Sequence, residues 1–153
     1  MFNHSRKLND RINHIHERGL RMVYGDYVSS FEELLKRDGS VTTHHRNIQL
    51  VAIVMFKVKN GLCPEIMRDL FELKEGRDGN MKFVIPRVKT EFMGKLSLRY
   101  FGPVVWETML PNVYKEIKLL EKFKEDIKKW APVCKCRLCK TYVKDLGFTE
   151  IAN

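Results

Sequence analysis

The sequence predicts a mainly α protein: a small helical bundle with an irregular or short-strand central insert and a cysteine-containing C-terminal tail. Three observations carry this expectation. Long stretches on either side of the middle show helical patterning, with capping residues at their ends. Between residues 72 and 96 that period lapses, where Gly76, Gly79, Pro86 and Gly94 interrupt the chain. Three of the four cysteines crowd into Cys134–Cys139. The expected organisation is a helical region over 1–71, an insert with a short helix over 72–111, a basic amphipathic helix over 112–132 and a tail over 133–153.

The elements follow in order. From Leu8 to Tyr24, the residues Leu8, Ile12, Ile15, Met22 and Val23 fall within a sector of about 100° on a helical wheel. Lys7, Arg11, His14, Arg18 and Arg21 fall on an adjoining sector of roughly 80°. The apolar stripe is expected to pack in a core, with the basic stripe beside it. Gly25-Asp26 breaks this helix. Ser30-Phe31-Glu32-Glu33 reads as a capping box opening a short helix through Lys36, closed by Asp38-Gly39. Ser40 or Thr42 caps a third helix that runs to Asn60, with Gly61 past its end. That helix is apolar almost all round from Ile48 to Val58, as a centrally buried helix would be. Cys63-Pro64 starts a further short helix to about Phe71, proline being suited to a first turn.

In the insert, Met81–Ile85 and Leu96–Tyr100 are candidates for short strands or extended segments. Gly102-Pro103 leads into a helical turn over Val104–Met109 that carries Trp106. Leu119, Leu120, Phe123, Ile127 and Trp130 then mark an amphipathic helix from about Tyr114 to Trp130, ended by Ala131-Pro132. Its other face holds Lys115, Lys118, Lys122, Lys124, Lys128 and Lys129. Val51, Met55 and Phe56 are expected in a core shared by the first, third and last long helices, with Trp106 and Trp130 packed against it.

The 153 residues hold 28 Lys and Arg against 19 Asp and Glu, a formal charge of +9. Residues 1–60 carry ten basic and six acidic groups, and residues 112–140 nine and four, around a nearly neutral middle. Such basic blocks attract phosphate backbones or anionic surfaces, and otherwise are solvated faces. There is no apolar run of about 18 residues to span a membrane, and residues 1–7 do not resemble a signal peptide. An intracellular protein, cytoplasmic or nuclear, is expected.

Cys136 and Cys139 have the C-x-x-C spacing in which two thiolates reach one tetrahedral ion, and Cys134 lies beside them. Zinc is one reading and reduced thiols the other, since a fourth ligand would have to come from Cys63, His44, His45 or a second chain. His14, His16, His44 and His45 show no metalloprotease spacing. No Gly-rich phosphate loop, G-x-S-x-G elbow or Asp-Asp pair occurs, so no catalytic constellation and no small-molecule substrate is expected.

The run from Leu8 to Tyr24, followed by Ser29–Leu35, resembles the region just after the polymerase core in non-LTR retrotransposon reverse transcriptases of the cnidarian and invertebrate type. His45–Leu50, Met55–Pro64, Ser97–Trp106 and Phe123–Trp130 look like its successive blocks. Cys134-x-Cys136-Arg137-Leu138-Cys139-Lys140, with Tyr142 and Gly147-Phe148, resembles the tail of such reading frames. The resemblance covers roughly residues 4–148. In that family the endonuclease and the aromatic-Ala-Asp-Asp motif lie upstream, so it supplies no catalytic residue here. It implies a thumb-like, non-catalytic region that helps to hold template and primer. Gly19 departs from the small helix-former usual there, which weakens the first helix by up to about 1 kcal/mol, and residues 73–93 diverge.

The expected function is weak, non-specific contact with RNA or DNA phosphates through Lys7, Arg11, Arg18, Arg21, Lys122, Lys124, Lys128 and Lys129. The alternatives are a protein-interaction module whose charge serves solubility, a zinc-organised binding domain, or a decayed copy of the element without function.

Overall fold

The computed structural model describes residues 6–77, 79–90, 94, 95 and 97–132. Their order is α1 (Arg6–Tyr24), α2 (Phe31–Asp38), α3 (Thr43–Lys59), α4 (Glu65–Arg68), β1 (Leu73–Glu75), β2 (Met81–Phe83), α5 (Leu98–Val104), a π-helical turn (Val105–Met109), α6 (Asn112–Lys115) and α7 (Leu120–Lys129). The fold is mainly α. Its one sheet among the described residues is an antiparallel hairpin pairing Leu73 with Phe83 and Glu75 with Met81. Two compact units are distinguished, with the division between Arg46 and Asn47, inside α3.

In the unit before Asn47, local chemistry sets the helix ends as expected. Gly25 (φ 61°) ends α1 in a conformation that a side chain would strain. At α2 the Ser30 hydroxyl accepts from the Glu33 amide, and the Glu33 carboxylate accepts from the Ser30 amide at 2.8 Å. Gly39 (φ 69°) closes α2 and sends its amide to the Leu35 and Lys36 carbonyls. Leu20, Leu34 and Leu35 are buried together, with Tyr24 and Phe31 packed on them.

The buried side of α1 is not the one its apolar pattern suggested. Asn9, Asn13 and Leu20 are buried, whereas Ile15, Met22 and Val23 are 71%, 76% and 75% exposed and Leu8 is 41% exposed. Asn13 is held inside because its side-chain oxygen accepts from the Thr43 amide at 3.3 Å, serving a donor that the start of α3 leaves without an intrahelical partner. The α1 core thus forms with α2, through Leu20, Leu34 and Leu35.

In the unit after Arg46, α3 is central as its sequence implied: Ile48, Val51, Ala52, Met55 and Phe56 are fully buried. Phe56 stacks on Phe123 of α7 with ring centroids 4.3 Å apart, and Trp106 lies 6.0 Å from Phe123. Phe83 of β2 meets Trp106 edge-on at 6.2 Å, and its amide donates to the Glu107 carboxylate at 2.8 Å. Trp106 and Trp130 are both buried. Aromatic pairs in this geometry contribute about 0.5–1.5 kcal/mol each beyond their buried area.

Three local expectations change. Residues 98–100 are helical and begin α5, where the sequence allows a short strand or extended segment. Pro103 then removes an amide from the ladder, and the next turn widens until the Leu110 amide reaches the Val105 carbonyl at 2.9 Å. The helix beginning at Pro64 stops at Arg68 instead of reaching Phe71, which frees Phe71 to meet Phe83 at 5.9 Å. The basic helix expected over 112–132 is two helices. Leu119 is extended (φ −89°, ψ 126°), and the break brings Tyr114 back to 6.3 Å from Trp130. A continuous helix from Tyr114 to Trp130 would hold those rings about 24 Å apart.

Candidate nucleic-acid interface

The basic side of α1 follows from its period. Lys7, Arg11 and Arg18 point away from the buried Asn9, Asn13 and Leu20 and are exposed. None of the three forms an ion pair with an acid among the described residues. Arg21 is different. Its guanidinium donates twice to Glu17 Oε1, at 2.7 and 3.2 Å, and its side chain is largely covered. Arg21 therefore braces the helix and its turn, with a further contact to the Asp26 carbonyl at 3.5 Å.

That turn is itself tightly held. Asp26 accepts from the Val28 and Ser29 amides at 3.1 and 3.0 Å and from the Ser29 hydroxyl at 2.6 Å. The Ser29 hydroxyl first, and the two amides with it, pull the Asp26 carboxyl down to about 2. The Tyr24 hydroxyl donates to Asp38 at 3.0 Å, which raises its pKa, and Arg37 lies over the Tyr24 ring at 4.8 Å.

In the unit after Arg46, α7 buries Phe123 and Ile127 and presents lysines on its other side. Lys122, Lys128 and Lys129 are exposed, and no described acid pairs with them. Lys124 is 3.6 Å from Glu121 one turn earlier, a surface pair of small energy. Lys122 also edges an open groove of about 320 Å³ between α6 and α7, lined by Val113, Glu116, Ile117, Lys118 and Leu119.

A second cluster in this unit escaped the sequence. Lys59 at the end of α3 lies 5.4 Å over the Trp106 ring. Lys115 of α6 reaches the Glu107 carbonyl at 3.4 Å and its carboxylate at 4.0 Å. Burial pushes the Lys115 ammonium down from its ordinary value; Glu107 opposes this, and the charges of Lys59 and Lys82 add to it. Three lysines are therefore linked, with the charges of Lys59 and Lys82 both felt at Lys115. They come from α3, β2 and α6, so no local motif announces them.

Cys134, Cys136 and Cys139 lie outside the described residues. Of the residues considered as a fourth ligand, Cys63 is a half-buried free thiol and His44 is buried on the first turn of α3. Among the described residues, no group of three or more His, Cys, Asp or Glu side chains is placed to hold a metal ion. No described helix is long and apolar enough to cross a membrane. Comparison with family models, with curated proteins and with solved structures gave no match.

Proposed function

We propose that this chain is a non-catalytic region, similar to the C-terminal part of a retrotransposon reverse transcriptase, that contacts RNA or DNA through phosphates without reading sequence. The observation that carries the proposal is the state of its cations. Lys7, Arg11 and Arg18 on α1, and Lys122, Lys128 and Lys129 on α7, are exposed and paired with no acid among the described residues. A row of cations along a helix tracks a sugar–phosphate backbone, and the gain comes from released counterions. Arg21 and Lys124, each shared with a neighbouring glutamate, contribute less. The two rows are independent contact elements. Affinity of about 10⁻⁴–10⁻⁶ M at physiological salt is expected, as for other non-specific contacts.

The test is binding to a short RNA–DNA hybrid at several salt concentrations, with Arg11→Glu/Arg18→Glu and Lys128→Glu/Lys129→Glu as separate variants. Each pair should weaken binding and flatten the salt slope by roughly 2. Unchanged affinity and slope in both would leave these rows as solvated faces. Metal-dependent primer extension by the chain, abolished by mutating one of its own acids, would overturn the non-catalytic assignment. An aromatic-Ala-Asp-Asp codon run in frame upstream of Met1 would support the retroelement origin.

A further inference from the structure

The exposed apolar residues of α1 are regularly spaced. Leu8, Ile12, Ile15 and Met22, with Gly19 in the gap, step by four and three residues alternately, the a/d pattern of a coiled-coil seam. Leu8, Ile15 and Met22 form one row that drifts by about 20° per heptad around a straight helix, the drift that a left-handed supercoil removes. The seam lies on the opposite side from Asp10 and Glu17, the two acids of α1. Leu8, Ile15 and Met22 are exposed, and Ile12 is half covered.

Charge selects the occupant. Arg11 and Arg18 are exposed and stand seven residues apart along the open edge of the seam, at the positions that set partner choice in coiled coils. The other edge holds Asn9 and His16, which are buried and half-buried within the unit. A second copy would bring Arg11 and Arg18 against its own arginines if antiparallel, or against His16 and Val23 if parallel. Neither arrangement supplies an acid, because Asp10 is on the far side and Glu17 is there too, bound to Arg21. A lipid surface would call for large aromatic residues among the apolar ones, whereas the exposed apolar residues of α1, Leu8, Ile15, Met22 and Val23, are all aliphatic.

We propose that α1 is a docking helix for a helix of another protein, one with an apolar a/d row flanked by Glu or Asp that meet Arg11 and Arg18. This goes beyond phosphate contact. Because the seam and the basic row share an edge, a docked helix would also shield Arg11 and Arg18 from nucleic acid.

The experiment uses the whole chain and two fluorescent synthetic helices of about four heptads. Both carry Leu at a and d; one has Glu at its edge positions and the other Lys. The acidic-edged helix should bind at least about tenfold more tightly than the basic-edged one, from paired against repelling edges. Ile15→Ser/Met22→Ser should abolish that binding. Because both side chains face solvent, the melting temperature and RNA affinity should stay unchanged. Arg11→Gln/Arg18→Gln should shrink the preference between the helices. The proposal fails if the serine variant binds the acidic helix as well as the parent, since attraction would then be charge alone. It fails if the two helices bind equally. It also fails if the serine variant instead loses a concentration-dependent dimer in sedimentation, or loses binding to phosphatidylserine vesicles. All of these leave the nucleic-acid reading standing, because that reading is read from binding to an RNA–DNA hybrid, with Lys128→Glu/Lys129→Glu as a variant outside the seam.

Discussion

The Gln49 side-chain amide donates to the Trp130 carbonyl at 2.8 Å, with a second, longer contact to the Lys128 carbonyl at 3.4 Å. Gln49 is fully buried in α3. The last carbonyls of a helix have no partner within it, so this one side chain caps α7 from a position 81 residues earlier. Gln49→Leu preserves volume and removes the donor, leaving the buried Trp130 carbonyl without it. It should cost about 1–3 kcal/mol, read as a lower urea midpoint at unchanged slope.

Gly102 of α5 sits against Met55 of α3. A Cβ there would sit 2.5 Å from Met55 Sδ and 3.3 Å from Phe71 Cε1. Gly102→Ala should therefore overpack the core and lower stability by about 1–3 kcal/mol. The double variant Gly102→Ala/Met55→Ala should recover part of the cost of the first change, which a double-mutant cycle by thermal unfolding would measure.

Gly19 is the opposite case. It is helical and exposed, and a Cβ there would meet nothing within 4 Å. Gly19→Ala should stabilise α1 by about 0.5–1 kcal/mol, visible as a raised melting temperature.

Asp26 makes the first unit acid-sensitive. Its folded pKa of about 2 lies below its ordinary value of 3.8, so the fold prefers the ionised form. The stabilisation is complete above about pH 4 and is lost as pH falls towards 2. Thermal melts across that window should fall more steeply for the parent than for Asp26→Asn. Equal slopes would show that the Ser29 and Val28 contacts do not select the carboxylate.

Lys115 should titrate below 10.5, the ordinary lysine value, because burial disfavours its charge and Lys59 and Lys82 lie near. Between its folded pKa and 10.5 the unfolded chain holds the extra proton, so its contribution to stability rises with pH in that window. Carbon-13 NMR of the lysine Cε signals reads the midpoint directly. Glu107→Gln should lower it further, as the one opposing charge is lost.

Residues read each other's chemistry across a few positions, and that much was legible from the chain. The Ser30–Glu33 box, the glycines at 25 and 39, the start of α4 at Pro64 and the buried run of α3 all depend on neighbours within about a turn. The exposure of Lys7, Arg11, Arg18, Lys122, Lys128 and Lys129 was legible too, since ammonium and guanidinium groups stay in water unless paired. Tertiary contact decided the rest. A period of 3.6 shows that α1 has an apolar side but not which side is covered, and the amide of Thr43 drew Asn13 inward while Ile15 and Met22 stayed out. Helical spacing over 114–130 did not reveal the break before Leu120, because the packing of Tyr114 near Trp130 that accompanies it joins residues 16 apart, beyond the reach of a local period. Lys59, Lys82 and Lys115 are ordinary surface residues in the sequence, and the charges of the first two reach Lys115, beside Glu107, only because the fold brings α3, β2 and α6 together. Local interactions are set by covalent neighbours; burial and shared charge are set by whichever distant segments the core brings together.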